Sequence, residues 1–200
     1  MEQWYFKFTK YAERLLKILE TLEWTNKVKV GQKNWIGKKE GINISYEIVD
    51  ENGQKPSTVS VFTTAPVNFG MTFLGLAPEH ALVAEMIEGK VKIPSKNKEE
   101  VEKYVNSIKQ KKDFERIAQG KEKTGAFTGL YAVNGINGKK VPVWVSDFVL
   151  GHVGTGAVQG CPGHDINDFQ FAKKFGLPII RVIVGPDGDM TDIASEEQVI

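Results

Sequence analysis

Along residues 4–24, apolar side chains recur at intervals of three and four (Phe8, Tyr11, Ala12, Leu15, Leu19, Leu22), the period of a helix with one buried stripe. Trp4, Tyr5 and Phe6 crowd its front with nothing nearby in sequence to cover them, so the helix is expected to belong to a neighbouring body. Residues 25–41 turn polar and glycine-punctuated around Asn34-Trp35-Ile36-Gly37 and read as a linker. After Gly41 the period falls to two. Ile42, Ile44, Tyr46 and Ile48 alternate with polar partners, Glu51-Asn52-Gly53-Gln54 supplies a hairpin turn, and Val59 and Val61 resume the alternation on a return strand. That strand runs into Phe62-Thr63-Thr64-Ala65-Pro66, where the proline ends regular pairing.

Pro78 opens a helix carrying Leu82, Val83, Met86 and Ile87, with Gly89 beyond its end. Pro94-Ser95 and Asn97, with Glu100 three residues after Asn97, announce another with Val101, Tyr104, Val105 and Ile108 as its stripe. The charge-dense run from Lys109 to Lys123 is expected to be exposed. Strands follow at Ala126–Val133 and around Val141, Val143 and Val145, with turns at Asn134-Gly135 and Asn137-Gly138. A helix from near Asp165 carries Phe169, Ala172 and Phe175 inward and stops at Gly176 and Pro178. Ile179–Val184 reads as a last buried strand before the Gly185-Pro186-Asp187-Gly188 turn. Many short strands with inserted helices predict an α+β domain with a barrel-like β-sheet core and peripheral helices.

Composition narrows the classes of function. Of 200 residues, 41% are apolar and 26% charged, enough for one compact core and a small appendage. No apolar run reaches about 18 residues and no basic-then-apolar leader follows Met1, so neither a membrane span nor export is expected. The single cysteine, Cys161, precludes an internal disulfide and agrees with a reducing cytosol. A formal charge of +1 argues against a long nucleic-acid track but leaves room for a basic rim that grips a few phosphates. Lys38-Lys39, Lys109 with Lys111-Lys112, Lys121 with Lys123, and Lys139-Lys140 could form one; each pair taken alone reads as solvated loop lysines.

Candidate chemistry gathers in Gly154-Thr155-Gly156-Ala157-Val158-Gln159-Gly160-Cys161-Pro162-Gly163-His164-Asp165-Ile166-Asn167-Asp168-Phe169. Asp165 and Asp168 share a face at a helix start, where unpartnered N–H groups and the dipole should hold both ionised. Two readings stay open: a grip for an ammonium group, or an acidic cap answering the dipole. The glycine spacing G-x-G-x-x-x-G followed by Pro162 does not open a dinucleotide-binding helix, and no phosphate loop is present. One cysteine and three histidines fall short of a zinc spacing. A Cys/His hydrolase would need Cys161 beside His80 or His152. Thr63 and Thr64, two hydroxyls at a strand end, can offer hydrogen bonds to a water or a sugar, or satisfy loop backbone.

The Gly154–Val158 run through Pro162-Gly163-His164-Asp165 and Asp168-Phe169, with Phe171-Ala172-Lys173-Lys174-Phe175, resembles the signature of the editing domain inserted in leucyl-tRNA synthetase. Leu76-Ala77-Pro78-Glu79-His80, Thr124-Gly125-Ala126-Phe127-Thr128-Gly129 and Val143-Trp144-Val145-Ser146-Asp147-Phe148-Val149-Leu150 resemble it too. Isoleucyl and valyl relatives lack this Gly-His-Asp-x-x-Asp form. The resemblance implies residues 1–24 as a helix of the flanking catalytic body, 25–41 as linker and 42–200 as editing domain, with a cut short of its C-terminal end left open. It implies hydrolysis of a wrong amino acid from leucine tRNA in the cytoplasm, as a second sieve. The partners implied are the 3′ acceptor end of that tRNA and the rest of the synthetase.

On that resemblance Asp168 binds the substrate's α-ammonium and Asp165 supports the loop, while Thr63 and Thr64 match the first two residues of a Thr-Thr-Arg-Pro-Asp-Thr motif around the ester and its attacking water. His164 belongs to the same signature and is counted with the substrate-binding residues. A positioned water attacks the ester carbonyl, with no side-chain nucleophile, metal or cofactor in this chain. ATP and Mg would serve the parent enzyme's synthetic site, but no His-x-Gly-His or Lys-Met-Ser-Lys-Ser run is present. The chain departs from the family at Ala65, where arginine is expected, and at Val67-Asn68, where aspartate and threonine are, and is one residue short before Phe69-Gly70. Asn68 thus stands for the threonine that rejects leucine, or that position is deleted. Gln159 and Val153 replace a methionine and a tyrosine of some members. These changes predict weakened or lost editing, with an insertion that only docks the acceptor end or props the synthetase body as the alternative.

Overall fold

The computed structural model of this protein describes residues 3–4, 6–116, 122–186 and 188–199. Met1, Tyr5, Lys121 and Asp187, named above, lie outside them. The chain divides into two units, one ending at Glu40 and the other beginning at Gly41.

In the first unit, a 3-10 turn over Phe8–Tyr11 leads into α1 (Ala12–Thr21). The polar stretch expected as linker holds a second helix, α2 (Asn26–Ile36), ended by Gly37 in the left-handed conformation with its N–H on Lys33 O. α1 buries Leu19, and Lys38 reaches Glu13 at 3.1 Å. A polar sequence with a lone valine pair gives no strong helical period, which is why α2 is not evident from the pattern.

The second unit is built on a six-stranded sheet of β1 (Ile42–Val49), β2 (Ser57–Thr63), β3 (Phe73–Leu76), β4 (Gly125–Val133), β5 (Lys140–Ser146) and β6 (Ala157–Gly160). The strand order is β2-β1-β4-β5-β3-β6. All neighbours are antiparallel except β3 and β5. The two edge strands, β2 and β6, come close to each other without a ladder between them, so the expected barrel-like sheet curls but does not close. Ile48, Val59, Val61, Leu74, Leu76, Val143 and Val145 form its core, capped by Leu82, Val83 and Met86 of α3 (Ala81–Glu88) and Val101 and Val105 of α4 (Ser95–Ile108). Among the described residues, no helix is long and apolar enough to cross a membrane.

Several expectations change. α3 starts at Ala81, three residues after Pro78, because His80 takes the cap and accepts the Leu82 N–H on Nδ1 at 3.1 Å. Ile179–Val184 forms no strand and is half-buried to exposed. The charge-dense run is not wholly exposed: Arg116, in α5 (Asp113–Arg116), and Lys123 are buried. β3 and β6 are strands of four residues each. In β4 the ladder shifts between Phe127 and Tyr131 around Gly129, at φ +79°. There a Cβ would meet Pro94 Cδ at 2.7 Å, so glycine is required.

α6 (Ile166–Phe175) lies between the Asp165 cap and Gly176. Its Phe171 is fully buried and packs on Phe73 (ring centroids 4.8 Å), Phe175 (4.6 Å) and Phe148 (5.5 Å), while Trp144 stacks on Phe175 at 4.6 Å. Burying one such ring contributes about 1.5–3 kcal/mol. This cluster anchors α6 to the sheet and so fixes where its N-terminal acids point.

Candidate functional site

The end of β2, the loop after it, β6 and the N-terminus of α6 converge on a cavity of about 370 Å³. Thr63, Thr64, Gln159, His164, Asp165 and Asp168 all line it, so the curled sheet brings together six of the eight candidate residues. Two are not there. Val153 is 59% exposed and outside the lining, and Asn68 is buried and points inward. Val61, Phe62, Ala65, Val67, Phe148, Val158, Cys161 and Asn167 complete the wall.

The loop after β2 explains the fate of Asn68. Thr63 Oγ1 donates to Ala65 O at 3.0 Å and accepts from Ala65 N at 3.1 Å, closing a tight turn. A 3-10 turn over Asn68–Gly70 follows. It sends Asn68 Nδ2 to the Tyr46 hydroxyl at 2.8 Å, and that hydroxyl donates to Gln159 Oε1 at 2.9 Å. Gln159 Nε2 then reaches back to Ala65 O at 3.0 Å. Burial pushes the Tyr46 phenol up to about 12, which keeps it a neutral donor in this chain. Val67 therefore occupies the wall.

The two threonines differ in availability. The Thr63 hydroxyl is engaged by the turn, whereas Thr64 is exposed and its hydroxyl has no partner among the described residues. It is free to hold a water or a substrate oxygen.

At the helix start the two acids also part company. Asp165 is the N-cap, accepting the Asp168 N–H on Oδ1 at 3.0 Å. Asp168 is 6% exposed, and its Oδ2 accepts the Cys161 N–H at 2.8 Å. Its other oxygen has no hydrogen-bond partner among the described residues, and the residue lines the cavity. Desolvation, then the neighbouring Asp165 charge, push Asp168 from its ordinary 3.8 to about 8, opposed by the Cys161 N–H and Lys123. The expectation that the helix terminus holds both acids ionised is thus corrected at Asp168. A dipole effect of about 0.3–1 kcal/mol is less than one pK unit, and burial outweighs it.

His164 is fixed by the Val182 N–H, which donates to Nε2 at 3.0 Å and ties the signature loop to the segment after α6. Gly160 must be glycine: a Cβ there would meet the Phe73 ring at 2.2 Å. The Cys161 thiol is pushed up to about 12 by burial and then by the two acids, and it donates to Val67 O at 3.5 Å, so it supplies no thiolate nucleophile. Asn167 and Phe148 carry sequence signals that could have found them, the first lying between the two acids and the second inside the Val143–Leu150 run. Val67 carries none, because its place depends on how the shortened loop turns.

The fold and the cavity define an α+β domain that offers a small cationic ligand one buried acid beside the free Thr64 hydroxyl. A family described as "Leucyl-tRNA synthetase, editing domain" matches residues 33–200. The crystal structure of a ternary complex of Agrobacterium radiobacter K84 agnB2 LeuRS with tRNA and LeuAMS is similar at a TM-score of 0.62 and 34% identity, covering 98% of this chain and 22% of that one. The chain belongs to the leucyl-tRNA synthetase editing domain family and spans about a fifth of the length of that relative.

Proposed function

We propose that this chain hydrolyses the ester of mischarged leucine tRNA, acting in the cytosol as part of a leucyl-tRNA synthetase whose remaining domains supply the ATP- and Mg-dependent synthetic site. The observation that carries this reading is the open Asp168 oxygen and the free Thr64 hydroxyl in one cavity. The aminoacyl adenosine of the 3′ acceptor end enters and its α-ammonium docks on Asp168. That cation offsets the desolvation of the carboxylate, and Asp168 gives up its proton to solvent as the ammonium arrives. Asp165 holds the first turn of α6 and His164 holds the signature loop. Gln159 braces the far wall through Tyr46 and Ala65.

A water held by Thr64 attacks the ester carbonyl carbon. The new C–O bond forms as the bond to the terminal ribose oxygen breaks, and the ribose hydroxyl leaves with a proton that comes from the water. Free amino acid and uncharged tRNA are released. Positioning supplies most of the acceleration, because no side chain is a nucleophile. Thr63 shapes the turn that presents Thr64.

The alternative of an insertion that only docks the acceptor end draws on Ala65 and the short loop. One of its routes, Asn68 filling the pocket, loses support because Asn68 is turned away, while Ala65 in place of the arginine still speaks for it. Hydrolysis of isoleucyl- and norvalyl-tRNA by the 200-residue chain separates the two readings: release of amino acid above the uncatalysed rate supports editing, and binding without release supports docking alone.

A further inference from the structure

Lys123 has no part in the chemistry above, yet it is 8% exposed, against the solvated loop lysine that its sequence context suggests. Its Nζ donates to Asn167 Oδ1 at 2.8 Å and lies 5.6 Å from the centroid of the Phe148 ring. Its carbonyl accepts from Lys174 Nζ at 2.8 Å, and Lys174 pairs with Glu122 at 2.8 Å, so the backbone carrying Lys123 is fixed. Asn167 and Phe148 both line the cavity, and Asn167 immediately precedes Asp168 in the first turn of α6.

A buried ammonium held by an amide oxygen and a ring face is costly unless a negative charge offsets it. Among the described residues, no carboxylate lies within ion-pair distance of Lys123 and no cation within that distance of Asp168. Lys123 thus sits behind two residues of the cavity wall and is bonded to the residue that immediately precedes Asp168. The groups around Asp168 are Asp165 at the cap of its own helix, the amide and thiol of Cys161 at the end of β6, His164 in the loop lining the same cavity, and Lys123 ahead of β4. Asp165 opposes ionisation of Asp168, and Lys123 favours it.

We propose that Lys123 is a positioning residue for Asp168: from behind the Asn167–Phe148 wall it supplies the positive charge that favours the Asp168 carboxylate when the substrate ammonium arrives, and it holds Asn167 at the cavity edge. The inference rests on the editing reading for its role in catalysis, but not for its electrostatics. With Asp168 mostly protonated in the empty cavity at neutral pH, the ionised fraction sets how much protein can take the ammonium. Each unit by which the acid is moved changes that fraction about tenfold.

Two measurements on Lys123→Met and Lys123→Arg test it. The first is a carbon-13 titration of the Asp168 carboxyl in the chain without tRNA. The second is kcat and KM for isoleucyl-tRNA hydrolysis at pH 7 and pH 9, expressed as the ratio of variant to parent so that the substrate's own ionisation cancels. Lys123→Met should raise the titration midpoint by about one unit. It should raise KM up to about tenfold at pH 7 and about twofold at pH 9 with kcat little changed, and Lys123→Arg should restore both readouts. Should the methionine variant not fold, Lys123→Gln takes its place. An unmoved midpoint, or a loss of rate that is the same at both pH values, overturns the proposal and leaves Lys123 a packing residue. A moved midpoint in a chain that hydrolyses no aminoacyl-tRNA supports the electrostatic role and overturns the editing reading.

Discussion

Asn68 gives its side-chain amide to the Tyr46 hydroxyl at 2.8 Å, and with that contact made it is Val67, not Asn68, that lines the cavity. With Asn68 committed to the interior, an apolar side chain, Val67, forms this part of the wall. Selectivity in this chain should therefore answer to Val67. Val67→Ala is expected to raise hydrolysis of leucyl-tRNA relative to isoleucyl-tRNA by about tenfold or more, the scale of one or two methylenes in an apolar pocket. Asn68→Ala should instead cost about 1–3 kcal/mol of stability in urea unfolding, by leaving the buried Tyr46 hydroxyl short of a partner. A selectivity change at Asn68 with none at Val67 would reverse this assignment.

Thr63 and Thr64 should separate in the same way. Thr64→Val removes a hydroxyl that no described protein group uses and should lower the deacylation rate about 10- to 100-fold with an unchanged urea midpoint. Thr63→Val breaks the turn over Ala65 and should lower stability by about 1 kcal/mol. Parallel unfolding and rate measurements on the two variants check this; equal effects on rate and stability at both positions would contradict it.

The buried acid makes stability depend on pH with a definite sign. The folded state raises Asp168 from 3.8 to about 8. Its contribution is therefore fully present below the ordinary carboxylate range and is lost as pH rises through about 8. Asp168→Asn keeps an acceptor for the Cys161 N–H but cannot ionise. Relative to the parent chain, the variant should gain on the order of 2–4 kcal/mol in urea unfolding between pH 5 and pH 9. Curves that stay parallel across this range would mean that Asp168 is ionised in the empty cavity.

Packing under α6 should be as consequential as the acids above it. Phe171→Ala empties the centre of the aromatic cluster and is expected to cost about 3–5 kcal/mol. Rate should fall with it, because the N-terminus of α6 is held by that cluster. Calorimetry and deacylation on one preparation measure both.

Where the sequence alternates or repeats at helical spacing, it predicts the fold well. The β1–β2 hairpin, the stripe of α4 and both ends of α6 follow from period and caps. β3 and β6 escape because four residues that are nearly all buried show no alternation. Ile179–Val184 misleads for the opposite reason: an apolar run alone does not supply a neighbouring strand to pair with. The signature stretch and its acids are legible because glycine, proline and cap residues mark turns locally. The inward turn of Asn68 and the burial of Lys123 are settled by partners far away in sequence, Tyr46 and Asn167, which nothing within a few residues of them encodes. The helix-dipole argument for Asp168 is local too, and desolvation by distant elements outweighs it.

The most direct test is single-turnover hydrolysis of isoleucyl-tRNA by the chain and by Asp168→Ala, with circular dichroism to confirm that both are folded. Loss of the charged partner of the α-ammonium should remove about 2–4 kcal/mol of transition-state stabilisation, a drop of about 10²–10³ in rate. Turnover by a folded Asp168→Ala variant at the rate of the parent chain would contradict the role assigned to this carboxylate.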